Sequence, residues 1–375
     1  MDGMNKIIPS SEYLQGERYI SPLILTPGPV MMDPDILVLG GTQTPYFRNS
    51  NFSAIYMDCE MMLLAAVNAP SGSRAVFITG SGTAAMEAAV INFTSYDKPV
   101  LVVQGGGFGQ RFVDIGMVHR RQLQVVPGDR IRSPLSSAGI ACNKNYAGAV
   151  LINAHETSTG HLYDLHDSAN YCRKTNALHI VDAISAFGAD NIDMQEHFID
   201  VLILSSNKAL GLQPGLSMLV LSPRAIELLP SQPLSYYFNI SSMLNDGQRG
   251  QTPFTPAVNI LLQLQLRLAK WIKLGMSTVL ARTAQNANHF RRAIVGLPLK
   301  FYSSSMSNAL TAIEVTNSIS AISVVERLES EHGIVVAPNG GSLAERVFRI
   351  SHLGNVGIKE MDYAASALGT VLMEN

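Results

Sequence analysis

Up to Leu221 the chain alternates short apolar runs with stretches of helical spacing. The runs are Arg74 to Ile78, Pro99 to Val103, Gln122 to Val126, Ala147 to Asn153, Leu178 to Val181, Val201 to Leu204 and Leu216 to Leu221. They are apolar at successive positions rather than at every second one, as strands covered on both faces of a parallel sheet must be. Between them, Ile55, Cys59, Met62 and Ala66 recur at helical spacing within 51–68, and Met86, Ala89, Val90 and Phe93 fall at i, i+3, i+4 and i+7. The latter pattern predicts an amphipathic helix, and Leu165 to Thr175 a further one. This alternation predicts an α/β fold around a mostly parallel, seven-stranded sheet. Leu216 to Leu221 follows the previous run too soon for a helical crossover, so it is expected to run antiparallel.

Beyond Leu221 the rhythm changes. Pro223 to Leu229 reads as a short helix and residues 230–250 as a long loop, of the kind that is usually functional or interfacial. A long helix then starts at Ala257. Ala257, Leu261, Leu264, Leu268 and Trp271 mark one apolar face, and Leu262 and Leu266 a second. Two apolar faces imply burial on two sides, as at a subunit interface. Strands are expected near Ala309–Val315, Ile334–Ala337 and Arg346–Ile350, with helices over 319–332 and 357–373, which makes a small α+β domain. The division is an N-terminal arm (1–30), a large domain (31–280) and a small C-terminal domain (281–375).

Chemistry gathers where the runs end. Ligands of open α/β sheets sit outside the carboxyl ends of the strands. Leu178 to Val181 delivers Asp182, and Val201 to Leu204 leads through Ser205, Ser206 and Asn207 to Lys208. An acid and an amine projecting into one cleft are what a pyridoxal phosphate enzyme needs: a lysine for the Schiff base and a carboxylate to keep the pyridine nitrogen protonated. Thr79-Gly80-Ser81-Gly82-Thr83 separates a strand from a helix, so it is either an anion site built from free N–H groups or an ordinary helix cap. Gln104 to Gly109 is glycine-rich without GxGxxG spacing. Its Phe108 either stacks on a flat ring or packs in the core. His155 and Glu156, in a polar cluster expected to face a cleft, lack the spacing of metal ligands, so no metal is expected. Arg349 sits mid-strand and needs an anionic partner, either a substrate carboxylate or an internal one. Pro27-Gly28-Pro29 is a turn whose glycine permits close backbone approach.

Composition narrows the class without changing this picture. The 375 residues carry 27 basic and 29 acidic side chains, a net charge of −2, with 47% apolar residues. Neither a nucleic-acid footprint nor a membrane span is expected. Three scattered cysteines, Cys59, Cys142 and Cys172, and a start without an apolar leader fit a cytoplasmic protein.

Taken in order, LTPGPV, TGSGTAAMEAAV, GGGFGQRF, HETSTG, VDAISAFGA, SSNK, TPFTP and FRISHLGN run through most of the chain. In that order the sequence resembles the class V, fold-type I pyridoxal phosphate aminotransferases. It is most similar to the 2-aminoethylphosphonate–pyruvate and alanine/serine–glyoxylate transaminases. The resemblance implies that Lys208 forms the Schiff base and then moves the proton, and that Asp182 pairs with the pyridine N–H. It implies that Ser81, Gly82 and Thr83 hold the cofactor phosphate, completed by Thr255 of a second copy in a homodimer with shared sites. It further implies that Phe108 and Ile184 pack on the two ring faces, that Thr157 reaches the ring hydroxyl, and that Arg349, with Gly28 nearby, meets substrate. Asn207 before Lys208 resembles the aminoethylphosphonate branch, making that amine the expected donor and pyruvate the acceptor. Arg48 and Arg249 are the candidate phosphonate ligands or else surface charges. An alanine/serine–glyoxylate reaction or a class V lyase is the alternative, although a desulfurase needs a late cysteine and none follows Cys172.

Overall fold

The computed structural model describes residues 22–129, 131–140, 146–316 and 319–373; most of the expected arm, 1–21, and Cys142 lie outside them. Seven strands form the central sheet, in the spatial order Arg74–Thr79, Leu216–Leu221, Val201–Ser205, Leu178–Asp182, Ala149–Asn153, Val100–Gln104 and Leu123–Pro127. All pairings are parallel except those of Leu216–Leu221, which is antiparallel to both neighbours. That strand is reached without a crossover helix, which is why its direction reverses.

Successive side chains of each strand enter opposite cores, following the period of the pleat. Leu101, Val103, Val150, Ile152, Val181, Leu202 and Leu204 face one layer, with the helices Ser50–Ala66 and Val258–Leu274. Val100, Val102, Ala149, Leu151, Ile180, Val201 and Ile203 face the other, under the helix Gly82–Phe93. That helix is not amphipathic as expected: every residue from Ala88 to Phe93 is buried, and Ile240, Met243 and Leu244 belong to the same core. These three come from a helix, Ile240–Gly247, beside the strand Arg74–Thr79, where the sequence predicted loop. Asn239 caps it by accepting from Ser242 N–H at 3.0 Å, and Asn92 Nδ2 donates to Phe238 O at 2.8 Å.

The C-terminal part has its own sheet, ordered Leu23–Leu25, Ile334–Pro338, Val347–Ser351, Leu310–Val315, Leu299–Phe301. Its first strand comes from the expected arm: Leu23, Ile24 and Leu25 pair in parallel with Ile334, Val335 and Val336. Leu25 joins Phe290, Ile313, Phe348 and Ile350 in a separate core. The division at 280/281 stays a proposal. The helix Met276–Ala293 runs through it, with Val279 in the first core and Phe290 in that of the small sheet. Among the described residues no helix is long and apolar enough to cross a membrane.

Candidate active site

The register of the sheet assembles the site. Asn153 and Asp182 are direct partners at the carboxyl ends of adjacent strands, and Asp182 faces Ile203 on the next. Asn153 Nδ2 therefore reaches Asp182 Oδ2 at 2.5 Å, while Ile184 N–H donates to Oδ1 at 2.8 Å. Both bonds favour the ionised acid. Burial outweighs them and lifts the Asp182 carboxyl to about 6.

Lys208 follows the neighbouring strand through Ser205, whose hydroxyl donates to Asn207 Oδ1 at 2.9 Å. Among the described residues its ammonium forms no hydrogen bond or ion pair. Burial lowers it to about 8, with the Asp182 charge opposing and the Arg349 and Arg111 charges adding to the drop. Gly28 closes over it at φ +155°. A Cβ there would lie 2.6 Å from Lys208 Cδ and 2.7 Å from Asn207 O, so only glycine fits this approach.

A cavity of about 170 Å³ opens in front of these groups. It is lined by Ser81, Gly82 and Thr83, by Phe108 and Arg111, by Thr157 and Ile184, and by Asp182, Asn207 and Lys208. Ser81 is the N-cap of Gly82–Phe93 and makes no side-chain capping bond, so its hydroxyl and the helix N–H groups remain available to an anion. Gly82 also lets Ile184 approach closely, since a Cβ there would lie 2.5 Å from Ile184 Cδ1 and make that side chain turn away.

Arg111 carries the pocket's further positive charge, and the sequence reading passed over it. It donates to Thr83 Oγ1 at 3.1 Å, and its guanidinium lies 4.7 Å from the Phe108 ring centroid. Phe108 and Arg111 are three apart on the helix Gly107–Val118, so they share a face. That spacing was a readable signal. Ser185 and Ser205, which also line the cavity, carried none.

The polar cluster after Asn153 divides its duties. Only Thr157 lines the cavity; its hydroxyl bonds Ser185 Oγ at 2.8 Å, which in turn meets His155 Nδ1 at 2.9 Å. His155 is wholly buried and lowered to about 3 by desolvation, so it is neutral. Glu156 faces no cleft, contrary to expectation. It accepts from the N–H groups of Phe108, Gly109 and Ser158 and from Ser158 Oγ, capping the helix that presents Phe108 and Arg111. Four donors offset the desolvation of the buried carboxylate.

Arg349 arrives from the small sheet, paired with Ala312 and Ala337. Its guanidinium donates to the main-chain oxygens of Thr157, at 3.3 Å, and Pro338. Nε is buried without a partner, and among the described residues no carboxylate bonds the group. Thr255 is exposed and outside the cavity of its own chain. Arg48 is tied to Gln251 Oε1 (3.2 Å) and to the main-chain oxygens of Thr252 (2.7 Å) and Pro253 (3.4 Å), and Arg249 to Asp246 at 2.5 Å.

Residues 42–356 match the family model described as aminotransferase class-V. The chain is 29% identical over 363 residues to the soluble hydrogenase 42 kDa subunit of Anabaena cylindrica, covering 94% of this chain and 93% of that one. It is 27% identical to the 2-aminoethylphosphonate–pyruvate transaminase 2 of a Polaromonas species, covering 87% and 89%. An aspartate aminotransferase of subgroup IV from Thermus thermophilus superposes with a TM-score of 0.87 at 27% identity, covering 94% and 99%.

Proposed function

Because the chain belongs to the class V aminotransferases, fold-type I enzymes whose cofactor is pyridoxal 5'-phosphate, we propose that it moves an amino group from a small α-amino acid to a small 2-keto acid, each held by its carboxylate at Arg349. The observation that carries this reading is a half-buried guanidinium whose Nε is buried without a partner, bonded to the main chain of a pocket residue and, among the described residues, to no carboxylate. A planar fork of that kind pairs bidentately with carboxylates.

The residues present fit the cofactor on their own chemistry. One end of the cavity offers a free N-terminal helix turn, Ser81, Thr83 and Arg111 to a phosphate. The other offers a buried carboxylate whose affinity for a proton is raised by desolvation to about 6, suited to pairing with a cationic N–H. When bound, the cofactor supplies an electron sink that lets the amino-bearing carbon lose a proton.

The protein does the rest. In this reading Asp182, oriented by Asn153, would accept from the ring N–H. Phe108 and Ile184 would pack on the ring, with Thr157 and Asn207 at its polar edge. Ser81, Gly82, Thr83 and Arg111 would hold the phosphate, joined by Thr255 of a second copy. Lys208 would be the residue that holds the cofactor and the base that moves a proton, since its amine, lowered to about 8, is neutral often enough to accept one. Gly28 lets the backbone close over Lys208 and border the substrate. The homodimer is supported by the half-exposed Leu262 and Leu266 and by the 87% exposed Tyr236, which packs on Phe254 beside Thr255.

A second reading takes 2-aminoethylphosphonate as donor and pyruvate as acceptor. Asn207 and the Polaromonas relative favour it. Against it, Arg48 is tied to the main-chain and amide oxygens of Gln251 to Pro253, and Arg249 pairs with Asp246 on the surface, outside the cavity.

Arg349→Lys separates the two. Loss of a charge-assisted fork costs roughly 1.5–3 kcal/mol, about ten-fold to over a hundred-fold in affinity. In single-turnover half-reactions an α-amino acid donor and a keto acid should weaken together. Weakening of the keto-acid half alone would favour the phosphonate donor. Unchanged kinetics in both halves would overturn the role of Arg349.

A further inference from the structure

Away from the cofactor pocket, three metal-ligating side chains converge. His166 stands in the first turn of the helix Leu165–Thr175, and Glu196 and His197 in the turn that leads to the strand Val201–Ser205. His166 Nε2 lies 3.4 Å from Glu196 Oε1, and His197 Nε2 lies 4.0 Å from the same oxygen. One ligand atom of each residue falls within 4.8 Å of the others. We propose that His166, Glu196 and His197 bind one divalent cation of the zinc class.

Zinc takes imidazole and carboxylate ligands at about 2.0–2.2 Å in tetrahedral array, which sets adjacent ligand atoms roughly 3.3–3.5 Å apart. The His166–Glu196 pair already has that spacing. Closing the rest asks Glu196 to move toward His197 by about half an ångström and His166 to follow it, and these two side chains are the exposed ones of the three, at 45% and 53%. Two neutral imidazoles and one carboxylate form a donor set of net charge −1, suited to a borderline cation rather than to calcium or magnesium.

The outer contacts orient the carboxylate. Asn191 Nδ2 donates to Glu196 Oε2 at 3.0 Å, leaving Oε1 toward the histidines. Such a bond is what fixes a ligating carboxylate in protein metal sites. Two nearby groups enter the balance. Arg173 donates to the main-chain oxygen of Glu196 at 3.1 Å and repels a cation. The Asp193 carboxylate, accepting from Glu196 N–H at 2.8 Å, offsets it. The cost falls on His197. Its Nδ1 accepts from Asp193 N–H at 3.3 Å, so ligation through Nε2 shifts the ring proton to Nδ1 and gives up that long contact.

An ion here would pin the helix to a turn that braces the sheet. The main-chain oxygen of His197 meets His179 Nδ1 at 3.0 Å, on the strand that ends in Asp182. The expected effect is stabilisation.

The test uses the full, cofactor-loaded chain stripped with a chelator, dialysed against Zn²⁺ and then melted. Wild type should hold one Zn²⁺ per chain more than His166→Ala and gain melting temperature with Zn²⁺, and His166→Ala should show neither. Asn191→Ala should weaken the site by about ten-fold or more. Zinc captured by the cofactor phosphate is common to all three proteins and cancels. Equal zinc stoichiometry and an equal melting response in wild type and both variants would overturn the proposal.

Discussion

Lys208 and Asp182 are shifted in opposite directions by the same burial. Removing water disfavours whichever form is charged, so the amine falls to about 8 and the acid rises to about 6. At pH 7.5 an ordinary lysine is neutral in about one molecule in a thousand, whereas one with a pKa near 8 is neutral in about a quarter. The neutral amine is the nucleophile that attacks an aldehyde. Cofactor uptake by the stripped protein should therefore accelerate as pH rises through about 8 and level off above it, followed by stopped-flow absorbance from pH 6 to 10. A rate still climbing in proportion to hydroxide at pH 10 would mean that Lys208 is not held in a dry site. The neutral His155 behind Thr157 adds no charge to this balance.

At the scale of elements the site is a set of strand ends and helix starts, and the glycines between them are specific. Gly28 and Gly296 both adopt positive φ, at +155° and +97°. A Cβ on Gly28 would strike Lys208 and the Asn207 main chain, while one on Gly296 meets nothing within 4 Å. Gly28→Ala should lower turnover by about a hundred-fold through misplacement of the lysine. Gly296→Ala should lower only the melting temperature, because its cost is backbone strain alone. Equal turnover in the two variants would remove the close approach as a requirement.

The elements that carry chemistry were the readable ones. Leu165–Thr175, Leu178–Asp182 and Leu216–Leu221 lie where apolar pattern and turn residues put them. Long buried runs between turns leave few alternatives. The helix Ile240–Gly247 escaped because its buried Ile240, Met243 and Leu244 are interrupted by Ser241 and Ser242 and followed by Asn245, Asp246 and Gly247. Met276–Ala293 escaped too, since only Val279, Ala287 and Phe290 of its apolar residues are buried and it starts after a glycine without a side-chain cap. The edge strand Leu23–Leu25 has its partner more than three hundred residues away, and no local pattern reports such a pairing. Within the site, Asp182, Lys208, Thr83 and Phe108 were legible from strand ends and a helix start. The helical capping role of Glu156 was not, because it depends on how the turn after Asn153 folds back.

On the scale of the whole molecule, the cavity belongs to the part built on the large sheet, and the small sheet meets it at the Thr157 wall. Asp182 and Lys208 end strands of the large sheet, while Arg349 belongs to the small one and reaches across to the main chain of Thr157. The junction is bonded elsewhere as well: Asp190 accepts from Asn308 N–H at 3.0 Å and from the Ser307 hydroxyl. In the proposed reaction the cofactor would be held covalently by Lys208, which lines this cavity. The most direct measurement loads the intact protein with pyridoxal 5'-phosphate, reduces it with borohydride and maps the labelled peptide by mass spectrometry. The predicted result is one pyridoxyl group per chain, on Lys208. A label on any other lysine, or none at all, would contradict it.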